Sequence, residues 1–300
     1  MSKEKPKKNR KHLKKSIVGW LIALPTLILF GFFVWYPLFK NILISFFENY
    51  EMTKFVGFGN YGAIFKDTYF ISAFTNTFKY ILWSIIIGFF IPMIVGFLLS
   101  EVIHLKGFFR IVLYIPSMLS GIAVVFLFQN IYGDEAYSIL NVIRKSMGLE
   151  RMDFRSNASI VIPLIVVAMT WKGFGGTSLI YMSNFQDIDS DLYEASRIDG
   201  ASPVQRFWKI TMPLMRPTIL TLLILQIISV FQVFYEPMII AGATSKDAMT
   251  LMQLSYYYFT KNELSKSAAT SIILALIIII ITVVYFLITR AFEKKWKKNK

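Results

Sequence analysis

The sequence predicts an all-α integral membrane protein with six transmembrane helices. Of its 300 residues, 55% are apolar and 17% are charged, whereas an average soluble chain is about 25% charged. Six stretches with little or no charge approach the ~20 residues that an α-helix needs to cross a bilayer. The net charge of +14 is concentrated towards the two ends, which is typical of membrane proteins and not of a folded nucleic-acid-binding surface.

The predicted spans form a single membrane domain at residues 16–290. The first run is longer than the apolar core of a signal peptide, about 7–15 residues, so we interpret it as a retained span. Pro92 is expected to kink the second span, and the third contains Pro116. Basic tails flank the domain at residues 1–15, expected to be disordered, and 291–300. The spans cover residues 16–39, 80–100, 111–133, 158–182, 217–241 and 267–289.

The charge distribution also predicts an orientation. Six spans place both basic tails on one side of the membrane, and the positive-inside rule makes that side cytoplasmic. One loop opposes this orientation, because residues 134–155 should then lie outside, yet they contain Arg144, Lys145, Arg151 and Arg155.

Three segments between the spans have patterns of their own. Residues 40–79 are predicted to be a structured loop on the membrane surface, with turns at its glycines. Residues 138–150 are predicted to contain a short amphipathic helix, since their apolar residues recur at helical spacing. Residues 244–266 are predicted to be a loop with an aromatic cluster, Tyr256, Tyr257, Tyr258 and Phe259.

The polar segment at residues 187–217 predicts two short helices with a sharp bend between them. Asp189 or Ser190 can cap the first helix, and Gly200 stands where a glycine would end it. The second helix has its own start signal, a capping box with proline at the first helical position, and we expect prolines to end it. These signals are Ser202, Pro203 and Gln205 at the start and Pro213 and Pro217 at the end.

The two spans beside this segment carry ionisable residues. Lys172 lies in the sequence WKGFGG, whose glycines allow unwound backbone, and Glu236 precedes a helix-breaking proline. Gln226, Ser229, Gln232 and Glu236 recur at spacings of three and four, which places them on one helix face. Such a polar stripe lines a pathway or an interhelical contact. Alternatively, Lys172 and Glu236 reach towards the interface or pair as a structural link.

Enzymatic and metal-binding interpretations find little support. There are no cysteines, and the two histidines, His12 and His104, stand alone. The alternation of Asp187, Asp189 and Asp191 lacks the glycine and distal glutamate of a calcium loop, and helix capping explains it better. Neither GFGNYG nor GFGG continues into the GK[ST] of a phosphate-binding loop. We therefore predict no catalytic residue, no metal site and no directly bound cofactor.

The polar segment resembles the EAA loop of the membrane subunits of bacterial ABC importers. That pattern has Glu-Ala-Ala, a glycine four positions later and then Ile-x-Leu-Pro. Asp199, Ala201 and Phe207 add to the resemblance, whereas Ser196 stands for Ala and Met212 for Leu. The matching positions are Glu194, Ala195, Ser196, Gly200, Ile210, Met212 and Pro213.

Other segments resemble the sugar-importer branch of these permeases, the maltose-type family. They are Tyr36-Pro37, the FVGFGNY of residues 55–61, Leu140-Asn141 and the WKGFG of residues 171–175. The order of the first two is similar to the first of the branch's two partner subunits. The chain departs from that subunit at residues 241–249, where AGATSKDAM stands in place of a GGP-containing segment.

The resemblance implies a transport subunit without enzymatic activity in a bacterial cell membrane, with both termini cytoplasmic. Its implied partners are a second, homologous permease subunit, two ATPase subunits that bind ATP and Mg²⁺, an extracytoplasmic solute-binding protein, a sugar and the lipid bilayer, but no nucleic acid. The first helix of the loop would be the coupling helix that contacts the ATPase. The implied coupling residues are Tyr193, Glu194, Ala195, Ser196, Arg197, Asp199, Gly200, Ala201 and Pro213.

The resemblance also implies that the spans on either side of the loop line the substrate pathway. A different polar solute, such as glycerol phosphate, is an alternative cargo, and Lys172 would suit an anionic one. A polytopic membrane enzyme and an ion-coupled secondary transporter are further alternatives, but the sequence has neither an acid or metal cluster nor a convincing repeat. The implied pathway residues are Trp171, Lys172, Gly173, Gln226, Ser229, Gln232, Tyr235 and Glu236.

Overall fold

A computed structural model describes residues 10–102 and 104–298, and the side chains of 18–102 and 104–291. In these ranges the regular elements are helices, joined by turns and loops, and an isolated bridge links Phe47 and Phe55. Residues 1–9 of the predicted N-terminal tail and residues 299–300 of the C-terminal tail lie outside the described residues. The helices are α1 (Arg10–Phe30), α2 (Tyr36–Ile44), α3 (Gly59–Phe65), α4 (Thr68–Trp83), α5 (Phe90–Glu101), α6 (Lys106–Met118), α7 (Gly121–Ile131), α8 (Ile139–Ser146), α9 (Val161–Gln186), α10 (Ser190–Ile198), α11 (Pro203–Arg206), α12 (Met212–Phe231), α13 (Tyr235–Ile240), α14 (Leu251–Thr260) and α15 (Leu264–Lys298).

The all-α membrane architecture is confirmed, with corrections to the spans. Within the described residues, five helical segments are long and apolar enough to cross a membrane, and α6 with α7, which meet at a 90° bend, makes a sixth where the bent pair is counted as one span. The bend follows Met118, whereas Pro116 lies inside α6. The predicted span 80–100 is part of a longer helix, and the predicted span 217–241 starts earlier and ends earlier. The five segments are Val18–Ile44, Thr68–Glu101, Val161–Gln186, Pro203–Phe231 and Leu264–Ala291.

At three positions a π-helical turn allows a long helix to continue through a proline. These turns are Gly31–Trp35, Ser84–Phe89 and Phe207–Thr211, and they contain the residues four positions before Pro37, Pro92 and Pro213. Proline has no backbone N–H and its ring clashes with the carbonyl of residue i−4, so a widened turn lets the helix continue. The prediction that Pro213 and Pro217 end the second helix of the polar segment is therefore wrong: that helix runs from Pro203 to Phe231.

The first span differs from the others because the rest of the chain does not cover its most apolar part. Helix α1 begins at Arg10, so residues 10–15 of the predicted disordered tail are helical. None of the most apolar window of Val18–Ile44 is buried within the chain. The large side chains of this span, including Trp20, Phe32 and Phe33, are exposed. This span must therefore be covered by lipid or by another chain.

Helix α9 lies at the centre of the molecule and packs against α5 and α6. Glycines permit the close approach on both sides. A Cβ at Gly96 of α5 would lie 2.6 Å from the Cβ of Tyr181, and a Cβ at Gly175 of α9 would collide with the carbonyl of Leu113 in α6. Around these contacts, Ile165 and Val166 are fully buried in the main apolar cluster.

Two predicted loops contain helices. Residues 40–79 include α3 and the first turns of α4, with a turn at Gly57 where φ is +56°. Residues 244–266 include α14, which packs against α4 and α15 and buries Leu251, Leu254 and Tyr258. The periodicity of these short segments was hidden by their polar and aromatic residues.

The last residues of the non-helical segment between α13 and α14, 248–250, are buried, and the segment is bonded to α4. Asn76 donates to the carbonyls of Lys246 (2.7 Å) and Met249 (3.3 Å), and the hydroxyl of Tyr80 donates to that of Ala248 (3.1 Å). Both α4 residues are themselves buried. Irregular backbone away from water requires such partners, because an unpaired buried carbonyl costs about 1–3 kcal/mol.

The predicted amphipathic helix in residues 138–150 is confirmed as α8. The arginines of its loop stabilise the loop's conformation. Arg151 and Arg155 both pair with Asp134, at 3.3 and 3.1 Å, and Arg144 donates to the carbonyl of Glu150 at 2.8 Å. These contacts give the arginines a structural role, while the orientation of the chain stays a prediction.

Candidate functional site

The turn between α9 and the Pro203–Phe231 helix is built as the sequence predicts. Asp189 caps α10 by accepting a hydrogen bond from the N–H of Asp191 at 3.0 Å. At the other end Gly200 has φ of +77°, a left-handed conformation that favours glycine. The N–H groups of Gly200 and Ala201 return to the carbonyls of Arg197 and Ser196, at 3.0 and 2.9 Å, which completes a Schellman motif.

The predicted capping box is also confirmed. Ser202 accepts from the N–H of Gln205 at 3.3 Å, and the Gln205 side chain accepts from the N–H of Ser202 at 2.9 Å. Only four residues, Asp199 to Ser202, separate the end of α10 from Pro203. The geometry of α10 relative to the following helix is therefore specified by local capping on both sides of one sharp turn.

Helix α10 presents most of its surface to solvent, and none of its residues is buried. Tyr193 is half-buried, and its hydroxyl lies 2.7 Å from the hydroxyl of Thr211. A crevice of about 480 Å³ lies between α10 and the ends of the neighbouring helices, with Glu101 and Arg206 in its wall. Of the predicted coupling residues, Glu194, Ala195, Arg197, Asp199, Gly200 and the more distant Pro213 are exposed, whereas Tyr193, Ser196 and Ala201 are half-buried.

A second, larger cavity of about 930 Å³ lies towards the far end of the Pro203–Phe231 helix. Six predicted pathway residues line it: Lys172, Gly173, Ser229, Gln232, Tyr235 and Glu236. Two others do not. Trp171 packs edge-on against Phe128 in the apolar cluster, and the Gln226 side chain faces Gly88.

The helix breaks where it meets this cavity. Its last turns tighten, since the N–H groups of Gln232 and Val233 bond to carbonyls three residues back. At Phe234 the backbone leaves helical geometry, with φ of −137° and ψ of −57°. Thr250 donates to the freed carbonyl of Val233 at 2.7 Å. The break thus lies just before Glu236, close to the position that Pro237 indicated.

The expectation of unwound backbone at WKGFGG is wrong. Helix α9 is continuous from Val161 to Gln186. Its glycines allow close packing. Gly175 lets the α6 backbone approach, whereas a Cβ at Gly176 would make only an ordinary contact with the ring of Tyr114. Lys172 therefore projects from an intact helix into the cavity, and its amine lies near Gly121, the first residue of α7 after the bend.

Lys172 and Glu236 form no ion pair with each other or with another described residue. Both are half-buried and both line the cavity. The alternative in which they pair as a structural link is therefore wrong, and the cavity contains one basic and one acidic group that are open to a ligand.

The sequence interpretation missed one wall of the cavity, which α14 supplies. The rings of Tyr256 and Phe259 stack at 6.2 Å, and Phe234 meets Tyr256 edge-on at 5.0 Å. Their spacing of three was a helical signal, but α14 is short and lies in a segment that we interpreted as a loop. The missed lining residues are Ser117, Met169, Val233, Phe234, Met252, Ser255, Tyr256, Phe259 and Ser267.

The opposite face of α14 is anchored to α4. Tyr258 is buried, and its hydroxyl donates to Asp67 at 2.6 Å. Burial, and then this hydrogen bond, raise the pKa of Tyr258 well above its ordinary value. Tyr258 therefore stays neutral and holds α14 in place while Tyr256 and Phe259 face the cavity.

Comparison with known proteins identifies the family. The profile described as "Binding-protein-dependent transport system inner membrane component" matches residues 85–298. The chain belongs to this family of ABC transporter permeases. It is therefore a transport subunit of the cell membrane, and the resemblance of its polar segment is confirmed at the level of the family.

Individual relatives point to sugar transport. The chain is 30% identical to the arabinooligosaccharides transport system permease protein AraP of Halalkalibacterium halodurans, over 81% of this chain and 78% of that protein. It is 27% identical to the lactose transport system permease protein LacF of Rhizobium radiobacter, over 84% and 86%. The fold matches a bacterial ABC transporter involved in the import of the acidic polysaccharide alginate, with a TM-score of 0.84, 23% identity and coverage of 94% and 98%.

Proposed function

We propose that this chain forms, with a second permease subunit, the pathway through which a carbohydrate crosses the membrane. The observation that carries the proposal is the cavity at the helix break. It combines hydrogen-bonding groups, such as Gln232 and Glu236, with the aromatic faces of Tyr256 and Phe259. Sugars bind to this combination, because hydroxyls need hydrogen-bonding partners and the apolar ring faces pack on aromatic side chains.

The partners follow from the exposed surfaces. The uncovered first span supports a second permease subunit, which would also close the open side of the cavity. A bacterial alginate ABC transporter of similar fold has been solved in complex with an alginate pentasaccharide-bound periplasmic protein. A solute-binding protein would likewise deliver the carbohydrate to this chain. The end of the molecule that carries α10 would be cytoplasmic, together with both termini.

Coupling to ATP hydrolysis would occur through α10. Its unburied surface and its fixed turn are suited to insertion into a groove of an ATPase subunit, with Glu194 near basic or backbone donors. ATP and Mg²⁺ would be held by two such subunits, and this chain would bind no cofactor and catalyse no reaction. Closure of the ATPase pair would then move α10 and, through it, the helix that ends at the cavity.

The test is ATP hydrolysis in proteoliposomes. We expect no hydrolysis by the chain alone and hydrolysis stimulated by the loaded binding protein when all subunits are present. Glu194→Lys should remove most of that stimulation while the chain stays in the membrane, because it places a positive charge against the ATPase groove. Glu150→Lys makes the same charge change on an exposed residue of the α8 loop and should leave the stimulation close to wild type. Normal stimulation with Glu194→Lys would contradict the coupling role.

One observation favours a second class of cargo. Lys172 is an amine without an ion-pair partner in the cavity wall, and it would suit an anionic solute such as glycerol phosphate or an acidic sugar. A thermal-shift screen of the cognate binding protein against neutral and acidic ligands distinguishes the two classes. Stabilisation by phosphate esters alone would replace the carbohydrate proposal.

A further inference from the structure

The attachment of α10 to the membrane helices has a feature that the family pattern does not supply. Helix α10 is joined to α9 on one side and to the Pro203–Phe231 helix on the other, and it buries no residue against either. A helix held only by its two chain connections can pivot about them. A force applied to α10 is transmitted efficiently only if a further contact fixes it to one neighbour.

Tyr193 supplies such a contact. Its hydroxyl reaches across the turn to Thr211, 18 residues along the chain, at 2.7 Å. Thr211 is 2% exposed and is the last residue of the π-helical turn Phe207–Thr211. The bond therefore fastens α10 to a buried point in the following helix, beyond the sharp turn at Gly200.

The surroundings of Thr211 tie this point to the ends of the neighbouring spans. In the same π-helical turn the ring of Phe207 packs edge-on against Phe97 of α5 at 5.4 Å, and Phe97 packs in the same way against Phe185 of α9. One turn further on, Met215 is buried in the apolar cluster that contains Phe185. Displacement of Thr211 must therefore move α12 as a body or rearrange this cluster.

The far end of the same helix reaches the cavity. Gln232 lies 21 positions after Thr211, which corresponds to roughly 30 Å of α-helix at 1.5 Å per residue. We infer that the Tyr193–Thr211 hydrogen bond is the positioning contact that transmits movement of α10 to α12 and so to the helix break at the cavity. The inference rests on the proposed coupling role of α10.

The test uses the absence of cysteine in this chain. Ser229→Cys introduces a single thiol into the cavity wall, and its rate of modification by a methanethiosulfonate reagent reports access to the cavity. The complex with its ATPase subunits is treated with ATP in the presence of EDTA, so that nucleotide binds without hydrolysis. Label on this chain is measured after the subunits are separated, so no substrate needs to be known.

We expect ATP to change the modification rate several-fold in the otherwise unaltered chain. Tyr193→Phe and Thr211→Val should each remove most of that change. Thr211→Val alters a buried residue outside α10, so it should leave unchanged the rate measured before ATP is added and the yield of ATPase that copurifies. Thr211→Ser keeps the hydroxyl and should restore the response. The double variant should reduce the ATP response no further than either single variant, because each single substitution already removes the same hydrogen bond.

Matched controls separate this bond from general effects of the substitutions. Tyr137→Phe alters an exposed tyrosine in the α8 loop, and Thr221→Val removes a hydroxyl of α12 that bonds only within its own helix. Both should keep the full ATP response. A full response in Tyr193→Phe and Thr211→Val would overturn the inference while leaving the coupling role intact. No ATP response in the Ser229→Cys chain, despite bound ATPase, would instead count against the proposed function.

Discussion

The two helices on either side of α10 are built in opposite ways. Helix α9 is continuous and central, with 39% of its most apolar window buried within the chain. The Pro203–Phe231 helix has 22% of its window buried, contains a π-helical turn at Phe207–Thr211 and ends at a break. Both contain residues that break or loosen helices, glycines in α9 and prolines in its neighbour, yet only one of them is interrupted.

The difference shows that the effect of a glycine or proline on a helix depends on the groups that pack against it. Gly175 is covered by the backbone of α6, so its lack of a side chain is used for close contact. The break that follows Gln232 has the cavity on one side. On the other side the hydroxyl of Thr250 donates to the carbonyl of Val233, so this carbonyl has a partner outside its own helix. We therefore expect α9 to be the fixed element of the pair and α12 the movable one.

The largest expected effect tests α9 as the fixed element. Gly175→Ala adds a Cβ that collides with the carbonyl of Leu113, so α6 and α9 must separate. Overpacking of this kind typically costs about 1–3 kcal/mol, and collision with rigid backbone places this case at the upper end or beyond. The measurement is thermal unfolding in detergent, followed by size-exclusion chromatography of the heated protein.

The adjacent glycine provides the control. A Cβ at Gly176 would lie 3.9 Å from the ring of Tyr114, an ordinary contact. Gly176→Ala should therefore unfold at nearly the same temperature as the unaltered chain. Equal losses in both variants would mean that helix flexibility, and not close packing, explains the glycines of WKGFGG.

An intermediate effect is expected at the break. Thr250 caps α14 by accepting from the N–H of Gln253, and it also donates to the carbonyl of Val233. Thr250→Val removes both bonds and leaves a buried carbonyl unpaired, which costs about 1–3 kcal/mol. Unfolding should occur at a lower temperature, measured as before. Thr260→Val, which removes an exposed hydroxyl bonded within α14, should change little.

The smallest effects are expected for side chains that face the cavity without supporting it. Glu236→Gln keeps the shape and removes the charge, and Tyr256→Leu removes an aromatic face. Once a transported sugar is identified, each should reduce its uptake a few-fold with no loss of thermal stability, because neither side chain is buried. Phe65→Leu changes an exposed aromatic remote from the cavity and should transport normally. A stability loss in the cavity variants would show that these side chains are structural.

Features that depend on local chemistry can be predicted from the amino-acid sequence. Charge-free length predicts spans, and the capping residues Asp189, Gly200 and Ser202 specify the turn at α10, because their hydrogen bonds reach only a few residues along the chain. Six of the eight predicted pathway residues line the cavity, but one helix face does not explain the set, because Gln226 faces Gly88 and the helix breaks before Glu236.

Which irregularities interrupt a helix depends on packing between distant parts of the chain. A widened turn lets the helix continue through Pro213, and the backbone of α6 packs against Gly175. The non-helical segment before α14 is stabilised by Asn76 and Tyr80, more than 160 residues away. The aromatic wall at Tyr256 likewise depends on where α14 packs. A buried polar backbone group needs a partner, and when the partner comes from a distant helix, no local pattern in the sequence records it.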